Sequence, residues 1–229
     1  YSDIKISFKN SPNDSIIIKD VIASNKVTEG NKIETFEFEN GEKLSFEDIK
    51  KLSLIGSNES ETLIGYVHSH NIMSGNEGND KLYGQGWNDT MDGGEGDDII
   101  ESGSGNDTLI GGTGNDTLNG GIGDDVYIYN KGDGKDTIID GGGTDVIKFG
   151  QGINKEDLIA TLKDNADHKN DIIFTFKNSP NDSVTIKDIN VTGGVDSANK
   201  IETLEFYNGE KLKVEDVKLY MVGTEESDE

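Results

Sequence analysis

Eight aspartates recur through the middle of the chain at an interval that an ordinary acidic loop does not keep. Asp80, Asp89, Asp98, Asp107, Asp116 and Asp125 lie nine residues apart; after two inserted residues the interval resumes at Asp136 and Asp145. Each follows a glycine-rich stretch such as "GGTGND", which bends tightly and turns carbonyl oxygens to one side. Carboxylates and carbonyls are hard oxygen donors. Six to eight of them in a forgiving geometry suit calcium, whereas magnesium keeps its waters and transition metals prefer nitrogen or sulfur. Calcium ligation is the chemistry this spacing points to.

Other chemistries find less support. The chain has no Cys, which excludes thiolate nucleophiles, disulfides and zinc–thiolate sites. His68 and His70 form an H-x-H pair without an obvious third ligand and read as a surface loop; Trp87 reads as a packing or contact residue. The carboxylate pairs Asp97 with Asp98 and Asp124 with Asp125 are better explained by ion ligation than by hydrolysis. No catalytic residue is assigned, and no enzyme activity is expected. A formal net charge of −24 repels nucleic acid and anionic membranes and attracts cations. No apolar run approaches the roughly 18 residues of a transmembrane segment, and no signal peptide precedes the first strand.

The aspartates belong to a longer pattern. Six uninterrupted nonapeptides start at Gly75, Gly84, Gly93, Ser102, Gly111 and Gly120, and two more start at Lys131 and Asp140. Their eighth residues are Leu82, Met91, Ile100, Leu109, Leu118, Tyr127, Ile138 and Ile147, one inward-facing apolar row carried by short strands. The pattern Gly-Gly-x-Gly-x-Asp-x-apolar-x closely resembles the RTX ("repeats in toxin") haemolysin-type calcium-binding family. That resemblance implies an all-β fold, a right-handed parallel β-roll in which two nonapeptides complete a coil and each ion lies between turns 18 residues apart. Carried over, it makes the eight aspartates side-chain ligands. It makes the backbone carbonyls of Gly78, Gly94, Gly96, Gly103, Gly105, Gly112, Gly114, Gly121, Gly123, Gly132 and Gly134 their companions. The uninterrupted pairs imply four calcium sites, and six if the roll tolerates the insertion before Lys131. Trp87 replaces a repeat glycine, so the pair using Asp89 is expected to be weak or distorted. Upstream, "GSNESETLI" and "GYVHSHNIM" offer Glu61 and His70 at the sixth position and are expected to keep the fold without binding calcium.

The flanks repeat each other at an offset of 168 residues: "SFKNSPNDSIIIKDV" from Ser7 answers "TFKNSPNDSVTIKDI" from Thr175. Both alternate apolar and polar residues, as half-buried strands do. "SPND" and "NGEK" read as hairpin turns, the latter of type I′, and "SFEDIKKL" reads as a short helix capped by Ser45. The flanks resemble the haemolysin-type calcium-binding related domain and have the physical task of covering the roll's open strand edges. The expected organisation is a β-rich cap over 1–54, truncated at its N-terminus, the roll over 55–149, a second cap over 150–222, and the start of another repeat block over 223–229. The chain thus reads as just over one period cut from a tandem array.

Glycine sets the expected mechanism. Twenty of the 30 glycines lie between positions 75 and 148, and ordering them costs on the order of 10 to 20 kcal/mol more than ordering alanines. One thin apolar row does not offset this alone, and the same window carries a net charge of −12. Binding and folding are therefore expected to be coupled, with the block disordered in micromolar and folded in millimolar calcium. In the RTX family this property serves export: the chain passes a type I secretion channel unfolded and folds outside. The implied role is a secreted, extracellular or cell-surface scaffold whose partners are calcium ions, the secretion machinery during export and neighbouring repeats. The alternatives are a glycan- or protein-recognition module of an adhesin and a non-catalytic roll appended to an extracellular enzyme.

Overall fold

The computed structural model describes residues 2–8, 11–22, 35–37, 43–45, 54–164, 170–189, 201–217 and 219–221. The chain divides into two units, Tyr1–Ser53 and Leu54–Glu229. In the first, β1 (Ser2–Phe8) pairs antiparallel with β2 (Ser11–Ile22), and β3 (Thr35–Glu37) with β4 (Lys43–Ser45). Ser45 is the last residue of β4. The rest of "SFEDIKKL" and residues 222–229 lie outside the described residues.

The second unit is built on ten short strands: β5 (Thr62–Ile64), β6 (Ile72–Glu77), β7 (Lys81–Tyr83), β8 (Thr90–Glu95), β9 (Ile99–Glu101), β10 (Thr108–Thr113), β11 (Thr117–Asn119), β12 (Val126–Tyr129), β13 (Lys135–Ile139) and β14 (Asp145–Phe149). The chain alternates between two parallel stacks, β6-β8-β10-β12-β14 and β5-β7-β9-β11-β13. Residues 18 apart pair, as Leu82 does with Ile100 and Leu109 with Tyr127. The result is a parallel β-roll of about five turns. The two inserted residues do not break it. Leu118 pairs with Ile138 and Tyr127 with Ile147, both across 20 residues.

Alternation along each strand leaves one central side chain facing inward. The eighth-position residues Leu82, Met91, Ile100, Leu109, Leu118, Tyr127, Ile138 and Ile147 are all 2% exposed or less. They come alternately from the two stacks, four from each, and their burial contributes about 1.5 to 3 kcal/mol per side chain. These two rows are the roll's core.

Beyond β14 both stacks continue into β15 (Leu158–Asp164), β16 (Asn170–Phe176), β17 (Ser179–Ile189), β18 (Ile201–Glu205), β19 (Lys211–Lys213) and β20 (Leu219–Met221). β17 lies parallel on β13, with Asp136 opposite Val184; β18 lies parallel on β14, with Ile147 opposite Leu204. Hydrogen-bonding groups at the C-terminal edge of each stack are thereby paired. Ile172, Phe174 and Phe176 point inward as their alternation implies. Tyr129, Phe176, Phe149 and Phe206, in that spatial order, close the end of the core, with successive ring centroids 5.4 to 5.6 Å apart.

Turn chemistry differs from expectation in two places. The turn between β16 and β17 is Lys177–Asn178, and "SPND" opens the strand. Phe176 pairs with Ser179 and Thr175 with Ser183, so Pro180, Asn181 and Asp182 form a bulge, where a proline lacking an N–H is tolerated. In the second "NGEK", over 208–211, only Gly209 takes a left-handed φ, +84°, while 40–42 of the first copy lie outside the described residues. Its N–H donates to the Phe206 carbonyl at 2.8 Å, and the Phe206 N–H to the Glu210 carbonyl at 2.9 Å. A type I′ turn needs two left-handed residues, so this loop closes instead through one glycine. Among the described residues the helices are two single 3₁₀ turns, Lys155–Asp157 and Val214–Asp216.

Candidate metal centre

The repeat glycines make room for oxygen. A Cβ on Gly112, where φ is +98°, would overlap the carbonyl oxygen of Gly94 one coil earlier. A Cβ on Gly93 would overlap Oδ2 of Asp98 in its own repeat and lie 2.5 Å from the Gly111 carbonyl oxygen. Absent side chains at the first, second and fourth positions thus let carbonyls stack coil on coil and let the aspartate fold back against its own turn. First-position carbonyls, such as those of Gly93 and Gly111, join the oxygen-lined space although the motif did not single them out. Where glycine is missing the conformation persists: Asn76, Gln85 and Trp87 have φ of +74°, +81° and +72°, at a cost of about 1 to 2 kcal/mol each.

Each sixth-position aspartate reaches back one coil. Oδ1 of Asp98 accepts the N–H of Asp80 at 2.7 Å, Asp107 that of Asp89 at 2.7 Å, Asp116 that of Asp98 at 2.8 Å, and Asp125 that of Asp107 at 2.8 Å. Across the insertion, Asp136 accepts from Asp116 at 3.1 Å and Asp145 from Asp125 at 2.7 Å. The two edges carry separate rows. Asp107 is joined to Asp125 and not to Asp116, and the ladder shows no distortion at Asp89 despite Trp87.

The other oxygen of each carboxylate tests the fit to a cation. Oδ2 of Asp80, Asp89, Asp98, Asp107, Asp116, Asp125 and Asp145 is buried and has no hydrogen-bond partner. An orphaned buried carboxylate oxygen is costly in a stable protein, and a row of them is costlier. Burial pushes Asp89 and Asp98 up to about 6, Asp116 and Asp125 to about 7 and Asp136 to about 8; neighbouring carboxylates add to the rise and the accepted N–H groups oppose it. Asp107 and Asp145 are raised as well, first by burial. Hard anionic oxygens facing stacked carbonyls, with nothing else to satisfy them, fit calcium.

The row's ends are built differently. Ile72 pairs with Thr90 and Met73 with Met91, which puts Asn71, not His70, at the sixth position; the turn before it holds one residue more than a nonapeptide count allows. Asn71 is buried, and its N–H donates to Asp89 Oδ1 at 2.7 Å. Its Nδ2 lies 3.0 to 3.3 Å from four oxygens, those of Tyr66, Ser69, Gly84 and Asp89 Oδ1, so an amide donor sits among oxygens where later coils present orphans. Glu61 does stand at the sixth position, and its carboxylate accepts the N–H and hydroxyl of Ser57. His70 is exposed and edge-on to Trp87 at 5.3 Å. At the other end, the carbonyl of Gly134 already accepts the Tyr129 hydroxyl at 2.6 Å and the Ser183 N–H at 2.8 Å. Gly132 faces open space, its N–H donating to Asp182 at 2.7 Å.

A second ladder runs along the fifth position. Asn79, Asn88, Asp97, Asn106 and Asp124 each accept an N–H from one coil later, at 2.8 to 3.1 Å. It is exposed and brackets the buried row from outside. Its signal in the sequence was the Asn or Asp before each of the first six ligand aspartates, Asp80 to Asp125.

A parallel roll with rows of buried, uncompensated carboxylates defines a calcium-binding repeat solenoid. Comparison with protein families agrees: the RTX calcium-binding nonapeptide repeat matches residues 69–100, 101–134 and 132–155, and the haemolysin-type calcium binding protein related domain matches residues 3–48. The chain therefore belongs to the RTX haemolysin-type calcium-binding proteins through these two modules. No curated protein matches it. No helix among the described residues is long and apolar enough to cross a membrane.

Proposed function

We propose that this calcium-binding module is a calcium-gated folding scaffold of a secreted protein: unfolded in a calcium-poor cytosol, passed through a type I secretion channel, and folded on meeting millimolar calcium outside. The role is structural and non-catalytic. The observation that carries the reading is the set of orphaned Oδ2 atoms along both edges. Without a cation these carboxylates repel one another in a poorly hydrated place and oppose folding; with one they hold adjacent coils together. Binding energy then becomes folding energy. The six aspartate pairs, each joined by a backbone N–H donating to the next carboxylate, set an upper expectation of six ions, four of them in uninterrupted repeats.

Far-ultraviolet circular dichroism during calcium titration tests this. A cooperative gain of β signal with calcium, reversed by chelator and absent with equal magnesium, is expected. An unchanged spectrum, or an equal gain with magnesium, would overturn the proposal.

A further inference from the structure

The last coil departs from the rest at its first position. Along one edge this position holds Gly84, Ser102, Gly120 and then Asp140. Asp140 is buried and held from two sides: its Oδ1 accepts the Gly142 N–H at 2.7 Å, and its Oδ2 accepts the Tyr127 hydroxyl at 2.6 Å. Tyr127 is itself fixed, because its hydroxyl oxygen accepts the Gly120 N–H at 2.9 Å. Carboxylate oxygens of Asp125, Asp140 and Asp145 all lie within 4.8 Å of one another. Asp125 and Asp145 are 0% exposed, and each keeps an Oδ2 without a hydrogen-bond partner.

We propose that Asp125, Asp140 and Asp145 form a three-carboxylate divalent-cation site, chemically distinct from the two-carboxylate pairs of the earlier coils, with Asp140 as the ligand that sets it apart. The proposal rests on the calcium reading above and adds a residue that the nine-residue motif places at a glycine position. Three carboxylates packed this closely repel unless a cation lies among them. A tyrosine pressed against Asp140 from the core side orients the carboxylate and leaves the metal side to oxygen. Affinity for calcium rises with the number of charged ligands and the rigidity of the site, so this site is the tightest of its row and fills first. It is also where roll meets cap. The Asp145 N–H donates to Glu202 Oε2 at 2.7 Å, as each earlier aspartate donates to the next. Glu202 is the extra residue of a bulge, since Ile201 faces Asp145 and Thr203 faces Val146. A cap side chain thus continues the ladder just beyond the three-carboxylate site.

Native mass spectrometry during calcium titration of the full chain, alongside Asp140→Asn and Asp140→Gly, tests the assignment. Each variant is expected to hold one ion fewer at low calcium, with the tightest step weakened about tenfold and later steps unchanged. Asp140→Gly installs the residue that Gly84 and Gly120 already supply at that position, so it decides the matter if Asp140→Asn does not fold. Hydrogen exchange of the wild-type chain at limiting calcium gives a reading free of variants, in which amides of 121–148 are expected to gain protection before those of 75–101. Unchanged stoichiometry and affinity in the variants, or first protection in the early coils, would overturn the three-carboxylate site and leave calcium-gated folding standing. A wild-type chain that binds no calcium would instead overturn the reading on which it rests.

Discussion

Two glycines with nearly the same backbone conformation separate strain from stacking. Gly112 and Gly132 have φ of +98° and +95°, so alanine at either incurs about 1 to 2 kcal/mol for entering the left-handed region. Their surroundings differ. A Cβ at Gly112 would overlap the Gly94 carbonyl oxygen and lie 2.7 Å from its carbon and 2.9 Å from the Gly94 nitrogen, all backbone; at Gly132 nothing lies within 4 Å. Forcing the coils apart adds about 1 to 3 kcal/mol, giving a total of about 2 to 5 kcal/mol for Gly112→Ala against about 1 to 2 kcal/mol for Gly132→Ala. If folding takes up four ions, these penalties are shared among four binding steps. The calcium midpoint then rises about fourfold for Gly112→Ala and about twofold for Gly132→Ala. Circular dichroism against free calcium measures both. Equal shifts in the two variants, or no shift at Gly112, would refute the stacking of carbonyls coil on coil.

Three further outcomes follow from the same geometry. Because burial raises Asp98, Asp116, Asp125 and Asp136 to between about 6 and 8, the metal-free fold binds protons more tightly than the unfolded chain. Its stability is fully present below about pH 4 and is lost as pH rises through that window; in chelator, β signal is expected to be greater at pH 5 than at pH 8, while the calcium midpoint falls over the same rise because protons compete for the ligands. Asn71→Asp replaces the amide donor among four oxygens with a carboxylate, and is expected to lower metal-free stability by about 2 to 4 kcal/mol and to add one bound calcium in titration calorimetry. Double-mutant cycles on the calcium midpoint should give a coupling of about 1 kcal/mol or more between Asp107→Asn and Asp125→Asn, and one within about 0.5 kcal/mol of zero between Asp107→Asn and Asp116→Asn.

Much of this arrangement was legible because the repeat is one physical unit copied along an axis. A nine-residue period fixes which side chains face in, so Leu109 and Asp107 fall into their rows without knowledge of the rest of the chain. Period alone does not reveal where it breaks. The extra residue before Asn71 shifts the sixth position off His70, and only the pairing of Ile72 with Thr90 exposes it. Pro180 looked like turn chemistry because its missing N–H is equally at home in a bulge. Asp182, Glu202 and Asp140 escaped the motif for a further reason. Two come from the cap, 50 and 57 residues from the groups they bond, and the third stands where the motif asks for glycine.

The central claim is that the orphaned Oδ2 atoms are calcium ligands. Anomalous-difference density from crystals grown in calcium tests it most directly. The account expects peaks along both edges of the roll, about 2.3 to 2.6 Å from the Oδ2 atoms of Asp98, Asp107, Asp116 and Asp125, each shared between coils 18 residues apart. A folded roll in which those oxygens meet only water or one another, with no anomalous peak beside them, would contradict it.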